Sequence, residues 1–171
     1  SMIGFLVSNV LWPMHHKHPQ EVDLKIGKDQ NEDRDVLFLR SFLDSSKPIK
    51  NLPARLELHA IETKSAKVRR ELVSLVIKIQ DHQPGLEGAL HKLLGRQEDA
   101  KDPIIPQLLW LAYEKQLSKS LGKELDWLRD NCKDNPLITD TIIPRTMRRL
   151  VATGKAEDLA ACVAFLGGLK D

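Results

Sequence analysis

The sequence predicts an all-α protein, a HEAT- or armadillo-like α–α superhelix of about five helix pairs. Three observations lead there. Helical periodicity runs through nearly the whole chain, whereas strand alternation never lasts more than a few residues. The helical segments are short, roughly ten to fifteen residues, and polar turns such as Lys133-Asp134-Asn135-Pro136 join them. Short connections make consecutive helices antiparallel neighbours. Finally, the central stretch from Asp102 to Glu114, DPIIPQLLWLAYE, is apolar on almost every side. A helix of that kind is buried between two neighbours, as in a stack of helix pairs at about 30–45 residues per pair. A globular helical bundle is the competing architecture.

In chain order, Ile3 to Trp12 reads as an apolar helix stopped by Pro13, and Pro19 to Lys28 as a weaker one. Asp33 to Asp44 carries Val36, Leu37, Leu39, Phe42 and Leu43 at helical spacing, and Pro48 to Glu62 follows with Leu52, Leu56, His59 and Ala60. Ser65 to Gln80 is the most amphipathic, with Val68, Leu72, Leu75, Val76 and Ile79 on one face. Pro84 to Gln97 offers Leu86, Ala89, Leu90, Leu93 and Leu94. At the central helix, Asp102 is placed to accept from free N–H groups. Pro103 suits the first helical position, and Pro106 still lies in the first turn. Leu121 to Cys132, Asp140 to Thr153 and Ala156 to Leu169 complete the series. Pro144 is tolerable only if its helix starts close by, and Gly167-Gly168 ends the last one.

At 171 residues and 42% hydrophobic, residues 1–171 are expected to form one domain with one sizeable core. The net charge of +2 is too near balance to demand a nucleic acid partner, and no apolar run reaches the length of a membrane span. The opening segment lacks the basic start and small-residue cleavage site of a signal peptide. Ser1 ahead of Met2 reads as a tag remnant, and the chain as a piece of a larger protein. Cys132 and Cys162 have neither CxxC nor CxxCH spacing, so zinc and covalent haem attachment are unsupported. They read as small buried hydrophobes, with a disulfide as the alternative.

Among candidate sites, Arg145, Arg148 and Arg149 cluster at i, i+3 and i+4, flanking an apolar face of Ile143, Met147, Leu150 and Val151. With Lys67, Arg69 and Arg70 they form a candidate interaction surface able to grip phosphate or a carboxylate-rich partner. Inter-repeat ion pairing is the preferred reading, because Glu62, Glu71, Glu98, Asp99, Asp140, Glu157 and Asp158 lie nearby in sequence. His15, His16 and His18 are the one histidine cluster, but no carboxylate or cysteine close by completes a metal set. His59, His91, Trp12, Trp110 and Trp127 read as packing residues. Glu114, Glu124 and Asp126 offer carboxylates without any implied geometry. No serine or cysteine carries the signature of an activated nucleophile, so no catalytic, cofactor-binding or metal residue is assigned.

DPIIPQLLWLAYE, TIIPRTMRRLVATG and EDLAACVAFL resemble the HEAT-repeat region of large bacterial PVC-type haem-binding CxxCH proteins, also described as putative membrane-bound dehydrogenases. The matching positions are Asp102, Pro103, Ile105, Pro106, Trp110 and Glu114, then Ile143, Pro144, Arg145, Met147, Arg148 and Arg149. AKVRRELVSL matches the family's Val-Arg helix start, and VLWPMHH an earlier repeat. Ile104 and Leu111 depart from the histidine and tryptophan frequent there, and Lys64 and Ser65 replace the aspartate before the Val-Arg pair. The resemblance implies a non-enzymatic scaffold or interaction domain within a periplasmic or extracytoplasmic protein. Its haem c and its dehydrogenase-like propeller would lie outside these residues. The partners expected are other domains of the parent, a protein, or a second copy through exposed end helices, at Phe5, Val10 and Leu11 or at Val163 and Leu166. Phosphate-backbone binding is the alternative.

Overall fold

The computed structural model describes residues 31–43 and 48–169. The expected helices Ile3 to Trp12 and Pro19 to Lys28, the cluster His15, His16 and His18, and Phe5, Val10, Leu11 and Trp12 lie outside them. The described residues form eight α-helices and no strand, so the chain is all-α. We number them α1 (Glu32–Arg40), α2 (Leu52–Glu62), α3 (Ala66–Ile79), α4 (Glu87–Leu94), α5 (Ile105–Lys119), α6 (Leu121–Asn131), α7 (Ile143–Ala152) and α8 (Ala156–Gly168).

Each odd-numbered helix begins at a residue built to receive free N–H groups. Asn31 Oδ1 accepts from Arg34 N at 3.0 Å, and Ser65 Oγ from Val68 N at 3.3 Å. Asp102 Oδ1 accepts from both Ile104 N and Ile105 N at 2.9 Å, as the aspartate forecast; α5 starts at Ile105, however, so Pro103 lies before the helix and Pro106 takes the first turn. Asn135 does the same for the helical segment that leads into α7, accepting from Leu137 N at 3.1 Å with Pro136 behind it. These caps fall at 31, 65, 102 and 135, close to one every 35 residues.

Several boundaries differ from the sequence expectation for local reasons. α1 stops at Arg40 rather than Asp44, because Phe42 N and Leu43 N turn back to Leu39 O and Arg40 O, three residues behind. Asn51 adopts a left-handed φ of 60°, so α2 starts after it and not at Pro48. Gly85 at φ 81° likewise postpones α4 past Pro84. A tight 3-10 turn, Gln97–Lys101, then leads to Asp102.

Pro144 has a clearer effect. The helix here runs from Pro136, so Pro144 falls in its interior rather than near its start. A proline there removes a donor and crowds the carbonyl four residues back. The chain responds with a π turn, Ile138–Ile142, in which Ile143 N donates to Ile138 O, five residues back.

Packing follows an alternating pattern. α1 lies on α3, α3 on α5, and α5 on the π turn before α7; α2 lies on α4, and α6 on α8. Consecutive helices also touch, α4 with α5 and α5 with α6 among them. α5 is therefore covered on several sides, and Ile105, Leu109, Trp110, Ala112, Tyr113 and Leu117 are buried along it. Ile104, just before α5, and Leu111, within it, are exposed. One continuous core runs from Val36 to Phe165. Along the even helices a 34-residue register is visible: Ala60, Leu94, Leu128 and Cys162 are all buried at equivalent positions.

Candidate functional site

The candidate arginines are held by neighbouring helices. Arg69, on the first turn of α3, is 4% exposed. Its Nε and Nη2 donate to Asp99 Oδ2 and Oδ1, both at 2.6 Å, and Nη1 reaches Thr63 O at 3.4 Å. A planar guanidinium suits this two-pronged contact as an ammonium would not. The hydrogen bonds it donates to Asp99 raise the arginine's pKa further, so the charge is permanent. Arg70 makes the parallel contact with Asp102, Nη2 to Oδ2 at 2.6 Å and Nε to Oδ1 at 3.3 Å. Asp102 thus serves α5 as cap and Arg70 as partner. The guanidinium first, and then the two backbone N–H groups, hold its carboxyl down at about 2.

On α7, Arg149 Nε lies 2.8 Å from Glu114 Oε1, and Arg145 Nη1 donates to Gln107 Oε1. Arg148 is exposed and, among the described residues, has no hydrogen bond or ion pair. The two arginine groups sit on different helices, and four of the five side chains are engaged across helix junctions.

These contacts share a sequence separation. Lys67 to Asp33 spans 34 residues, Arg40 to Glu71 spans 31, Arg69 to Asp99 spans 30, and Lys115 to Asp81 spans 34. Arg96 closes the end of α2 in the same way, with Nη2 donating to Ala60 O at 2.8 Å and to Ile61 O. Asn135, besides capping its own helix, donates from Nδ2 to Leu94 O at 3.0 Å, 41 residues away. Nearly every long-range polar contact therefore joins one helix pair to the next.

A second cluster was not legible as a site in the sequence. At the 34-residue register of the even helices, Leu56 and Leu90 are followed by Glu124, which is buried at 3% exposure. A carboxylate in a leucine position must be hydrogen-bonded. Gln116 Nε2 donates to its Oε1 at 3.2 Å, and His91 Nε2 lies 2.9 Å from its Oε2. The His91 ring stacks on Trp127, with centroids 4.1 Å apart and planes 9° from parallel. Tyr113 OH donates to Glu124 O at 3.1 Å, and burial above all drives its phenol pKa up, so it stays a donor. The signal available was the register itself, an acidic residue 34 positions after Leu90.

A cleft of about 220 Å³ opens nearby, lined by Gln80, Gln83, Leu90, Gln116 and Lys119 among others, but neither Glu124 nor His91 is in its lining. Lys119 Nζ donates to Gln80 O and Gln83 Oε1 accepts from Ile49 N, so its polar groups serve the fold. His59 is buried, and burial lowers its imidazole pKa, in keeping with a packing residue. Trp110 is buried and Trp127 half-buried against the core.

Among the described residues, no group of three or more histidine, cysteine, aspartate or glutamate side chains could hold a metal ion. No described helix is long and apolar enough to cross a membrane. Cys132 and Cys162 are both free thiols, and neither belongs to a CxxCH sequence, so these residues do not fit covalent haem attachment. No protein family, curated protein or solved structure matches this chain.

Proposed function

We propose that this chain is a HEAT-like helical-repeat scaffold, a non-enzymatic interaction domain whose polar residues chiefly lock one helix pair to the next. The observation carrying this reading is the common separation of the cross-helix contacts, from Arg40–Glu71 to Arg145–Gln107, at 30 to 38 residues. A stack needing only neighbour contacts presents a long rigid surface with no central active site. By the resemblance of DPIIPQLLWLAYE and TIIPRTMRRLVATG, the scaffold belongs to a large extracytoplasmic haem-binding, dehydrogenase-like protein, and any redox chemistry belongs to other parts of it.

Removal of residues 133–171 tests the architecture. A stack of repeats keeps the remaining helix pairs folded, with a urea m-value reduced in proportion to the lost surface. A single globular bundle loses cooperative unfolding altogether, and that result would overturn the reading. The family assignment stands or falls on the surrounding reading frame, which should encode a propeller and a CxxCH segment. The phosphate-binding alternative now rests on Arg148 alone among the five candidate arginines. A gel shift with generic duplex DNA at low salt should show no complex.

A further inference from the structure

The two rows of helices are joined differently where α3–α4 meets α5–α6. In the odd row α3 lies directly on α5, and the Arg69–Asp99 and Arg70–Asp102 pairs fasten this side. In the even row α2 lies on α4, close enough that a Cβ at Gly88 would run into the Glu57 carboxylate. α4 does not lie on α6 in that way, and long side chains span the space instead.

That space is a wedge. Its narrow end is at the end of α4, where Asn135 Nδ2 donates to Leu94 O at 3.0 Å. One turn back, His91 crosses to α6, with Nε2 2.9 Å from Glu124 Oε2 and its ring stacked on Trp127. The wide end is at the start of α4. There the cleft of about 220 Å³ lies between Leu86, Glu87 and Leu90 on one side and Gln116 and Lys119, at the end of α5, on the other. α6 is bound to α5, because Tyr113 OH donates to Glu124 O and Gln116 Nε2 to Glu124 Oε1. Gln116 therefore borders the cleft and also holds the carboxylate that His91 reaches.

We propose that this wedge is a hinge held shut by His91. With the odd row fastened and the narrow end tied at Asn135, the freedom left is a rotation that swings the start of α4 away from α5–α6. His91 opposes it through one hydrogen bond and one ring stack. Hinges are absorbed at the ends of elements, and Gly85, at φ 81°, stands at such an end just before α4. In a helix stack the curvature follows the small rotation between repeats, so the His91 tie sets the bend of the chain at its middle. The hinge rests on helix packing alone and does not depend on the scaffold reading.

Electron–electron distance measurements between spin labels read the opening in the full chain carrying Cys132→Ala and Cys162→Ala. Labels at Glu87→Cys and Lys123→Cys span the wedge, and labels at Ala54→Cys and Glu87→Cys span α2 and α4 as the control; all of these positions are exposed. The wedge distances should be more broadly distributed than the control distances. His91→Ala should lengthen the mean wedge distance by about 2 Å or more, the scale of an ordinary helix shift, and leave the control unmoved. Trp127→Ala, which removes the stack from the other side, should act on the wedge in the same sense, with circular dichroism reporting both variants helical. Equal widths for wedge and control with His91 in place overturn the proposal, and that comparison needs neither variant. So does a wedge distance indifferent to both substitutions, or a control distance that moves as far.

Discussion

The junction between α3–α4 and α5–α6 and the junction between α5–α6 and α7–α8 use the same spacing with opposite effect. At the first, Arg69 and Asp99 are 4% and 2% exposed at their side chains, and Glu124 is buried with His91 beside it. At the second, Arg149 and Glu114 meet at 47% and 35% exposure. The second also leaves the Thr146 hydroxyl and Arg129 Nε buried without a partner. Burial makes the difference. A charge pair closed from water is expensive to break, because the survivor is stranded, while an exposed pair is screened and its side chains keep alternatives. The first junction is a lock and the second a loose seam.

Arg69→Ala is the harshest test of the lock. It strands Asp99 beside the Thr63 carbonyl and is expected to destabilise the fold by about 3–5 kcal/mol in urea unfolding. A loss below about 1 kcal/mol would show that water reaches the pair and remove the contrast between the junctions. His91→Ala should cost less, about 1–3 kcal/mol, through the lost stack on Trp127 and one fewer donor to Glu124. Glu124→Leu, which restores the leucine of the register, should change stability by less than about 1.5 kcal/mol in either direction. If it instead costs as much as Arg69→Ala, the carboxylate has a role that packing does not describe.

Acid sharpens the same comparison. The folded-state pKa of Asp102 is depressed to about 2 from 3.8. Its stabilising contribution is therefore complete above the unfolded value and fades as the pH falls from 3.8 towards 2. Relative to Asp102→Asn, the parent chain should hold an advantage at pH 6 that closes in that window, read from chemical-denaturation midpoints. Smallest of all, Arg149→Ala at the seam should cost no more than about 1 kcal/mol and shrink further in high salt.

Much of the helix content was legible because it depends on local chemistry. The Asp102 hydrogen bonds at the start of α5, its two-sided apolar body and the end of α8 follow from caps and periodicity, and the exposed Val163 and Leu166 from the expected end helix, while Pro103 falls before α5 rather than at its first position. Of the carboxylates expected beside the candidate arginines, Asp99 alone pairs with one of them, Arg69, while Asp102, Glu114 and the amide of Gln107 take Arg70, Arg149 and Arg145. What periodicity could not supply was distance. Asp99 finds Arg69 only because a 3-10 turn brings the chain back, and His91 finds Glu124 only once the register of the even helices is known. Asn135 read as a turn residue, yet it caps one helix and ties down the end of another 41 residues earlier.

The π turn before α7 also changes the phase of its helix. One additional residue within a helix rotates everything after it by about 100°. Pro144 places that rotation between the Asn135 cap and the body of α7. That helix carries, in effect, a frameshift written in backbone geometry: its axis continues in space while its sequence rhythm gains a beat.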